Sequence, residues 1–365
     1  MSAFPAPSPA PAGTGEVVII GAGLVGTSIG LALRAAGRQA HVRDHLLSHA
    51  RVAESLGAGT IRPPVSAEVG LVVVAVPPRA LPGVIGHALR AYPYATVTDV
   101  GSVKAGVLDA LWDTTAGLER YVGSHPMAGS QHSGPLTARA DLFAGRTWVI
   151  TPHRRSEPVS VDRVRALVGV CGAREVVMDV EDHDAAVASV SHLPHLLAVL
   201  MASYLNGVPD DHLRLAGPGL RDVTRVAGGD PELWEQILGA NRSAVLSGLR
   251  RLREELAGVI AAVEQPPGPE LRRRLERGVA GIRRIPGKHG GAPVDYAQVV
   301  VEIPDAPGAL GRLFADVGEA GVNIEDVAIE HDQVREVGYL AMSVTPDQVA
   351  ALEATMRERG WDVQP

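Results

Sequence analysis

Three glycines, an aspartate, a serine, an arginine and three histidines carry whatever chemistry this sequence has. Gly21, Gly23 and Gly26 stand as G-x-G-x-x-G directly after the apolar run 17–20 and ahead of an apolar helical pattern that ends near Gly37. Glycine has a separate use at each place: a sharp turn, close approach of the backbone to a pyrophosphate, and tight helix-to-strand packing. A helix that starts there aims free N–H groups and its positive end at phosphate. Asp44 ends a second strand, 39–43, eighteen residues past Gly26. A carboxylate at that point can hold the ribose hydroxyls of NAD. The plainer alternative is an ordinary tight turn beside an exposed aspartate. The strand–turn–helix context favours the dinucleotide.

His125 lies in Ser124-His125-Pro126-Met127-Ala128-Gly129-Ser130, at the exit of a short strand, 121–123, into a loop of small residues. Ser102 lies in Asp99-Val100-Gly101-Ser102-Val103-Lys104, where a strand ends and a helix starts. Open parallel sheets bind ligands at that edge, although a serine there can equally be a helix N-cap. His192 and His195, in Ser191-His192-Leu193-Pro194-His195, sit three apart on one helical face. With no neighbouring cysteine and no acidic-histidine motif they read as a surface pair, and no metal site is expected. Asp222 and Arg225 fall in Gly219-Leu220-Arg221-Asp222-Val223-Thr224-Arg225.

The elements that must hold these residues alternate as strand and helix through residue 178: strands at 17–20, 39–43, near 60, 70–76, 96–99, 121–123, 146–151 and 175–178. That alternation predicts a mostly parallel sheet covered on both faces. From Glu181 the pattern is helical, with a kink or break expected at Pro194 and one long helix over 234–263. Asp230 followed by Pro231 is a sound helix start. Residues 265–293 are rich in Pro, Gly and Arg and read as a linker with one short basic helix. The last seventy or so residues repeat none of this and run βαββα with a short final strand at 361–363. The expected division is a tail, 1–15; a Rossmann-like nucleotide-binding domain, 16–179; a helical domain, 180–264; a linker, 265–294; and a small α+β domain, 295–365.

A chain of 365 residues, 46% hydrophobic and 21% charged, is globular and long enough for two or three domains. Its net charge of −7 argues against nucleic acid or an anionic membrane as partner. The single cysteine, Cys171, excludes an internal disulfide framework and a zinc ribbon, and reads as a small packing residue. No apolar run of about 18 residues offers a membrane span. The first 15 residues, Pro-, Ala-, Ser- and Gly-rich, lack the features of a signal peptide and read as a disordered tail on a cytoplasmic protein.

Six segments in order, GAGLVGTSIG, DVGSVK, GSHPMAGS, SHLPH, GLRDVTR and DPELW, resemble prephenate dehydrogenase. The C-terminal part, with DAPGAL and GVNIEDV, looks like an ACT domain, a ferredoxin-like module that binds small regulatory ligands. The resemblance runs over residues 16–365. It implies an NAD-dependent oxidative decarboxylation of prephenate to 4-hydroxyphenylpyruvate in tyrosine biosynthesis, by a homodimer with tyrosine as effector. It implies His125 as the base for the 4-hydroxyl, Ser102 as the residue that orients it, and Arg225 as a carboxylate clamp. His195 would be a second histidine near substrate and cofactor, with His192 structural. Asp222 would orient Arg225 or gate the site, and Ser130 and Gln131 would meet the substrate. Trp234 would line the site or belong to the core. Cofactor contacts would come from Gly21, Gly23, Leu24, Val25, Gly26, Asp44 and Val76.

Many relatives are acidic where this chain has Gln131, which leaves arogenate as an alternative substrate. Two other functions compete. A 3-hydroxyacid dehydrogenase relies on a lysine in its helical domain, and there is none from Glu181 to Val263. A non-catalytic NAD- and amino-acid-sensing regulator would have lost the base or the clamp, yet His125, Ser102 and Arg225 are all present.

Overall fold

The computed structural model describes residues 15–128, 134–285, 296–332 and 337–364, in two units that divide between Ala257 and Gly258. The N-terminal tail, Ser130 and Gln131 lie outside the described residues.

In the first unit the apolar runs become a seven-stranded sheet: β1 (Glu16–Ile20), β2 (Ala40–Arg43), β3 (Val69–Val74), β4 (Thr96–Asp99), β5 (Tyr121–Pro126), β6 (Thr147–Thr151) and β7 (Arg174–Val177). Their order is β2-β1-β3-β4-β5-β6-β7. The first five are parallel, β6 is antiparallel to β5, and β7 is parallel to β6. The expected strand near Thr60 is only an isolated bridge to His41.

Period-two alternation splits the strands' side chains between two cores. Ile19 and Val73 pack with Ile29, Leu33, Phe143 and Trp148 on one face. Val18, Val72 and Val74 pack with Ile85, Leu89 and Tyr121 on the other. Five helices belong to this sheet: α1 (Leu24–Ala35), α2 (Leu47–Ser55), α3 (Leu81–Ala91), α4 (Ala105–Trp112) and α5 (Pro158–Val170). Because β1 has β2 on one side and β3 on the other, the connections leave β1 in opposite directions. The crevice beyond the carboxyl ends of β1 and β3 is the place where such sheets take ligands.

The helical part follows as α6 (Val180–Val187), a π-helical turn (Ala188–His192), α7 (Leu193–Tyr204), α8 (Asp210–Leu213), α9 (Pro218–Thr224), α10 (Pro231–Ala240) and α11 (Arg242–Val263). The irregularity expected at Pro194 takes the form of the π turn straight before it, with Pro194 in the first turn of α7. The wider turn relieves the clash a proline ring makes with the preceding turn and absorbs its missing N–H. The expected single helix over 234–263 is instead two, parted at Asn241, whose backbone leaves helical geometry (φ −109°, ψ 31°).

The run Val180–Gly207 is also long and apolar enough, by length and composition, to cross a membrane, contrary to the sequence expectation. Its buried face, however, carries His183, Asp184, His192 and His195. Such a face suits a helix packed within a protein.

The second unit holds α12 (Pro269–Ile282) and then β8 (Ala297–Pro304), α13 (Ala309–Glu319), β9 (Asp326–Asp332), β10 (Val337–Val344), α14 (Val349–Glu358) and β11 (Asp362–Val363). The strands form an antiparallel sheet in the order β11-β8-β10-β9. This is the βαββαβ path of a ferredoxin-like sandwich. Its core joins Val299, Val301 and Ile303 to Leu313, Val317, Leu352, Met356 and Trp361.

Candidate active site

The glycine turn meets two of its three demands from within the protein. Gly21 has φ +110°, and a Cβ there would stand 2.1 Å from the Ala75 carbonyl oxygen. A Cβ at Gly26 would stand 1.9 Å from the Gly21 carbonyl oxygen. Gly23 is different: a Cβ there would meet nothing within 4 Å. Among the described residues nothing requires glycine at that position, but a pyrophosphate lying against the backbone would. Gly23 is also the N-cap of α1 and supplies no side chain to bond the first-turn N–H groups, which suits an anion. The residues present therefore fit a dinucleotide.

Asp44 closes the turn from the side. Its Oδ2 accepts from Ala22 N (2.7 Å) and its Oδ1 from Leu46 N (2.8 Å). Oδ1 also lies 3.1 Å from His45 Nδ1, and Oδ2 keeps a second lone pair for a ribose hydroxyl. Leu24 is buried under the turn, and Val25 and Val76 pack partly buried against the two cores.

His125 is a strand residue, not a loop residue: β5 runs on to Pro126, and His125 pairs with Val149 of β6. Its Nδ1 lies 2.9 Å from Nε2 of His183, and His183 Nδ1 lies 2.8 Å from Oδ1 of Asp184. Asp184 also accepts from Lys104 N at Oδ1 and Ala105 N at Oδ2, both at 2.9 Å. The α4 N-terminus is thus capped by a carboxylate from α6, and Ser102 is not its N-cap. Ser102 lies partly buried in the loop between β4 and α4.

Beneath this loop Lys104, fully buried, bonds the buried Asp99 through Nζ to Oδ2. Asp99 further accepts from Tyr121 OH (2.8 Å) and Gly101 N (2.9 Å). Burial pushes the His125 imidazole well below its ordinary pKa, and the Lys104 ammonium pushes the same way. His125 is a neutral imidazole at pH 7.

The helical side adds two more neutral rings. His195 stacks on Trp234, and its Nδ1 lies 2.9 Å from the Val226 carbonyl. Burial lowers its pKa against that carbonyl's opposite effect. His192, also edge-on to Trp234, is pushed by burial down to about 4. Asn241 Nδ2 lies 3.2 Å from His192 Nδ1 and donates to the Asp184 carbonyl at 2.7 Å. The helix break at Asn241 therefore ties His192 to the line that ends at His125.

Arg225 starts the turn Arg225–Gly228 that presents the Val226 carbonyl to His195; Asp222, one helical turn earlier on α9, is exposed. Sequence reasoning missed Asp99, Lys104, His183, Asp184 and Asn241. Asp99 and Lys104 stood within the DVGSVK segment without a role, and the signal for His183 and Asp184 was a cluster of polar residues on an otherwise apolar helical run.

With this geometry in place, two family models match in succession. Residues 29–177 match "Prephenate dehydrogenase, nucleotide-binding domain", and residues 179–277 match "Prephenate dehydrogenase, dimerization domain". The "Probable prephenate dehydrogenase NovF" of Streptomyces niveus is 36% identical over 358 residues, covering 94% of this chain and 98% of that one. Among solved structures, A. aeolicus prephenate dehydrogenase in complex with hydroxyphenyl propionate and NAD+ superposes with TM-score 0.67 at 25% identity. That match covers 74% of this chain and 98% of its own. Synechocystis arogenate dehydrogenase superposes at 0.63 with 27% identity, covering 73% and 98%. The chain belongs to the prephenate dehydrogenase family.

Proposed function

We propose that the protein converts prephenate to 4-hydroxyphenylpyruvate and CO2 with NAD+ as oxidant. The observation that carries this most directly is His125: a neutral imidazole on the ligand edge of the sheet, with Nδ1 already engaged by His183 and Nε2 left for a substrate hydroxyl. NAD+ supplies the hydride acceptor when bound, held at the glycine turn and Asp44.

His125 Nε2 takes the proton of the 4-hydroxyl as that carbon is oxidised. It returns the proton to the same oxygen when the ring carboxylate leaves as CO2 and the ring becomes aromatic. The proton is borrowed, and the base ends as it began. Arg225 clamps one of the two substrate carboxylates, for which a guanidinium fork is the fitting shape. His195, held flat by Trp234, offers its Nε2 to the substrate, and Ser102 orients the hydroxyl toward His125. Asp222, one helical turn earlier on α9, steers Arg225.

The chain works as a homodimer through its helical domain. The matched dimerization model and the exposed Leu197, Leu200 and Tyr204 of α7 support this. The ferredoxin-like unit acts as an ACT module whose effector is tyrosine. A cavity of about 390 Å³, framed by the turn 304–311 with Ile303 and Gly338, supports it. The deciding assay follows NADH absorbance with prephenate and with arogenate. Oxidation of prephenate at the higher kcat/KM is expected; oxidation of neither would overturn the proposal.

A further inference from the structure

We infer that His183 and Asp184 are positioning residues that fix the tautomer of His125, leaving Nε2 as the basic atom. The inference rests on His125 being the base of the proposed reaction. Asp184 when ionised is acceptor-only, so the His183 nitrogen facing it, Nδ1, carries the hydrogen. A neutral His183 then has a bare Nε2, and this atom faces His125 Nδ1 at 2.9 Å. Two bare nitrogens cannot share that distance, so His125 donates from Nδ1. Its own Nε2 is left without a hydrogen.

The alternative is a His183 imidazolium that donates in both directions. It would leave His125 bare at Nδ1 and hydrogen-bearing at Nε2, the reverse tautomer, and the nitrogen NMR below distinguishes the two.

The pair is built not to move. The α4 backbone amides grip both oxygens of Asp184, and Asn241 grips its carbonyl. His183 is therefore hung from the start of α4, in the nucleotide-binding part of the unit, while belonging to α6 in the helical part. Lys104, held by Asp99 together with Tyr121, acts on His125 by charge rather than by shape and disfavours its protonation. The His183–Asp184 line supplies an acceptor whose bond becomes charge-assisted during the moment that His125 holds the proton.

The first test is the tautomer itself, read by nitrogen NMR on the full-length protein labelled at histidine nitrogen, with NAD+ and no substrate. The His125 signal is identified by its loss in His125→Gln. Protonated Nδ1 and bare Nε2 are expected; the reverse assignment overturns the inference. The second test is kinetic. His183→Leu should lower kcat about 100-fold, in the range of general-base effects, while NAD+ affinity stays within about threefold. His183→Gln should recover to within about tenfold of wild type, because its amide oxygen can still accept from Nδ1–H. Wild-type kcat in His183→Leu would also overturn it. If that variant does not fold, His183→Gln and the tautomer measurement still decide. If the wild type oxidises neither prephenate nor arogenate, the proposed function fails while the NMR result stands on its own.

Discussion

The imidazole of His195 lies flat on the indole of Trp234, ring centroids 3.5 Å apart and planes within 5°. With Nδ1 bonded to the Val226 carbonyl, the ring has one orientation and one free nitrogen. Such stacked pairs contribute about 0.5–1.5 kcal/mol beyond the area they bury. Trp234→Leu should therefore raise KM for the substrate about two- to tenfold and leave kcat less affected. Steady-state kinetics at saturating NAD+ checks this; a kcat loss with unchanged KM would place Trp234 in the chemical step instead.

The buried histidines set the pH response. As the proposed base His125 must be unprotonated, and its folded pKa lies well below 6.5. The acid limb of kcat/KM should therefore fall below that of a free histidine, with full activity at pH 7. Stability follows from His192, whose pKa drops from 6.5 to about 4 on folding. Between those values the unfolded chain binds more protons than the folded one, so stability rises with pH. Tm should decline as pH falls from 6.5 toward 4, by on the order of 1–3 kcal/mol of stability from this group. His192→Gln should flatten that decline; an unchanged slope would acquit His192.

Regular local pattern was legible in the sequence, and tertiary capping was not. The glycine turn, the buried strands and the C-terminal βαββαβ path follow from period and spacing, which any window of residues displays. Glu181-Asp182-His183-Asp184 reads instead as the charged, solvated first turn of a helix. Only the packing of α6 on α4 shows that its second half caps another helix and meets His125. Lys104 fails for the same reason. A lysine at a helix start looks solvent-facing, and its burial depends on Asp99 and Tyr121 beneath it. At Pro194 the sequence identifies the problem but not its solution, because a π turn has no residue signature.

Cofactor choice is proposed to rest on Asp44. A 2′-phosphate would bring negative charge to a carboxylate already fixed by Ala22 N and Leu46 N, and so unable to swing away. NAD+ should exceed NADP+ in kcat/KM by about tenfold or more. Asp44→Ser should narrow the ratio, the more so because Arg43 stands next to it. Equal kcat/KM for the two cofactors in the wild type would sink the assignment.

The cavity in the C-terminal unit gives effector binding a direct test. Gly311, in the first turn of α13, lines it, and a Cβ there would meet nothing within 4 Å. Gly311→Leu should therefore fill the cavity without straining the helix. Tyrosine should inhibit the wild type, and this variant should lose that response while keeping its basal kcat. Ending the chain near Gly290 should do the same. If tyrosine inhibits all three forms alike, its site is the active site.

Substrate choice is proposed to turn on Gln131, six residues past His125. Prephenate and arogenate differ only in the side chain, a keto group in one and an ammonium in the other. Selecting arogenate requires a negative charge beside that ammonium, since an unpaired cation taken out of water is costly. Gln131 can donate a hydrogen bond to a keto oxygen or carboxylate but cannot neutralise an ammonium. Prephenate should therefore have the higher kcat/KM in the wild type. Gln131→Glu should shift the ratio toward arogenate from both sides, because its charge would attract the ammonium and repel the pyruvyl carboxylate. Asp222 is the carboxylate that could supply the same attraction in the wild type, and Asp222→Asn separates the two. If the ratio moves with Asp222→Asn but not with Gln131→Glu, selection belongs to the helical side of the site.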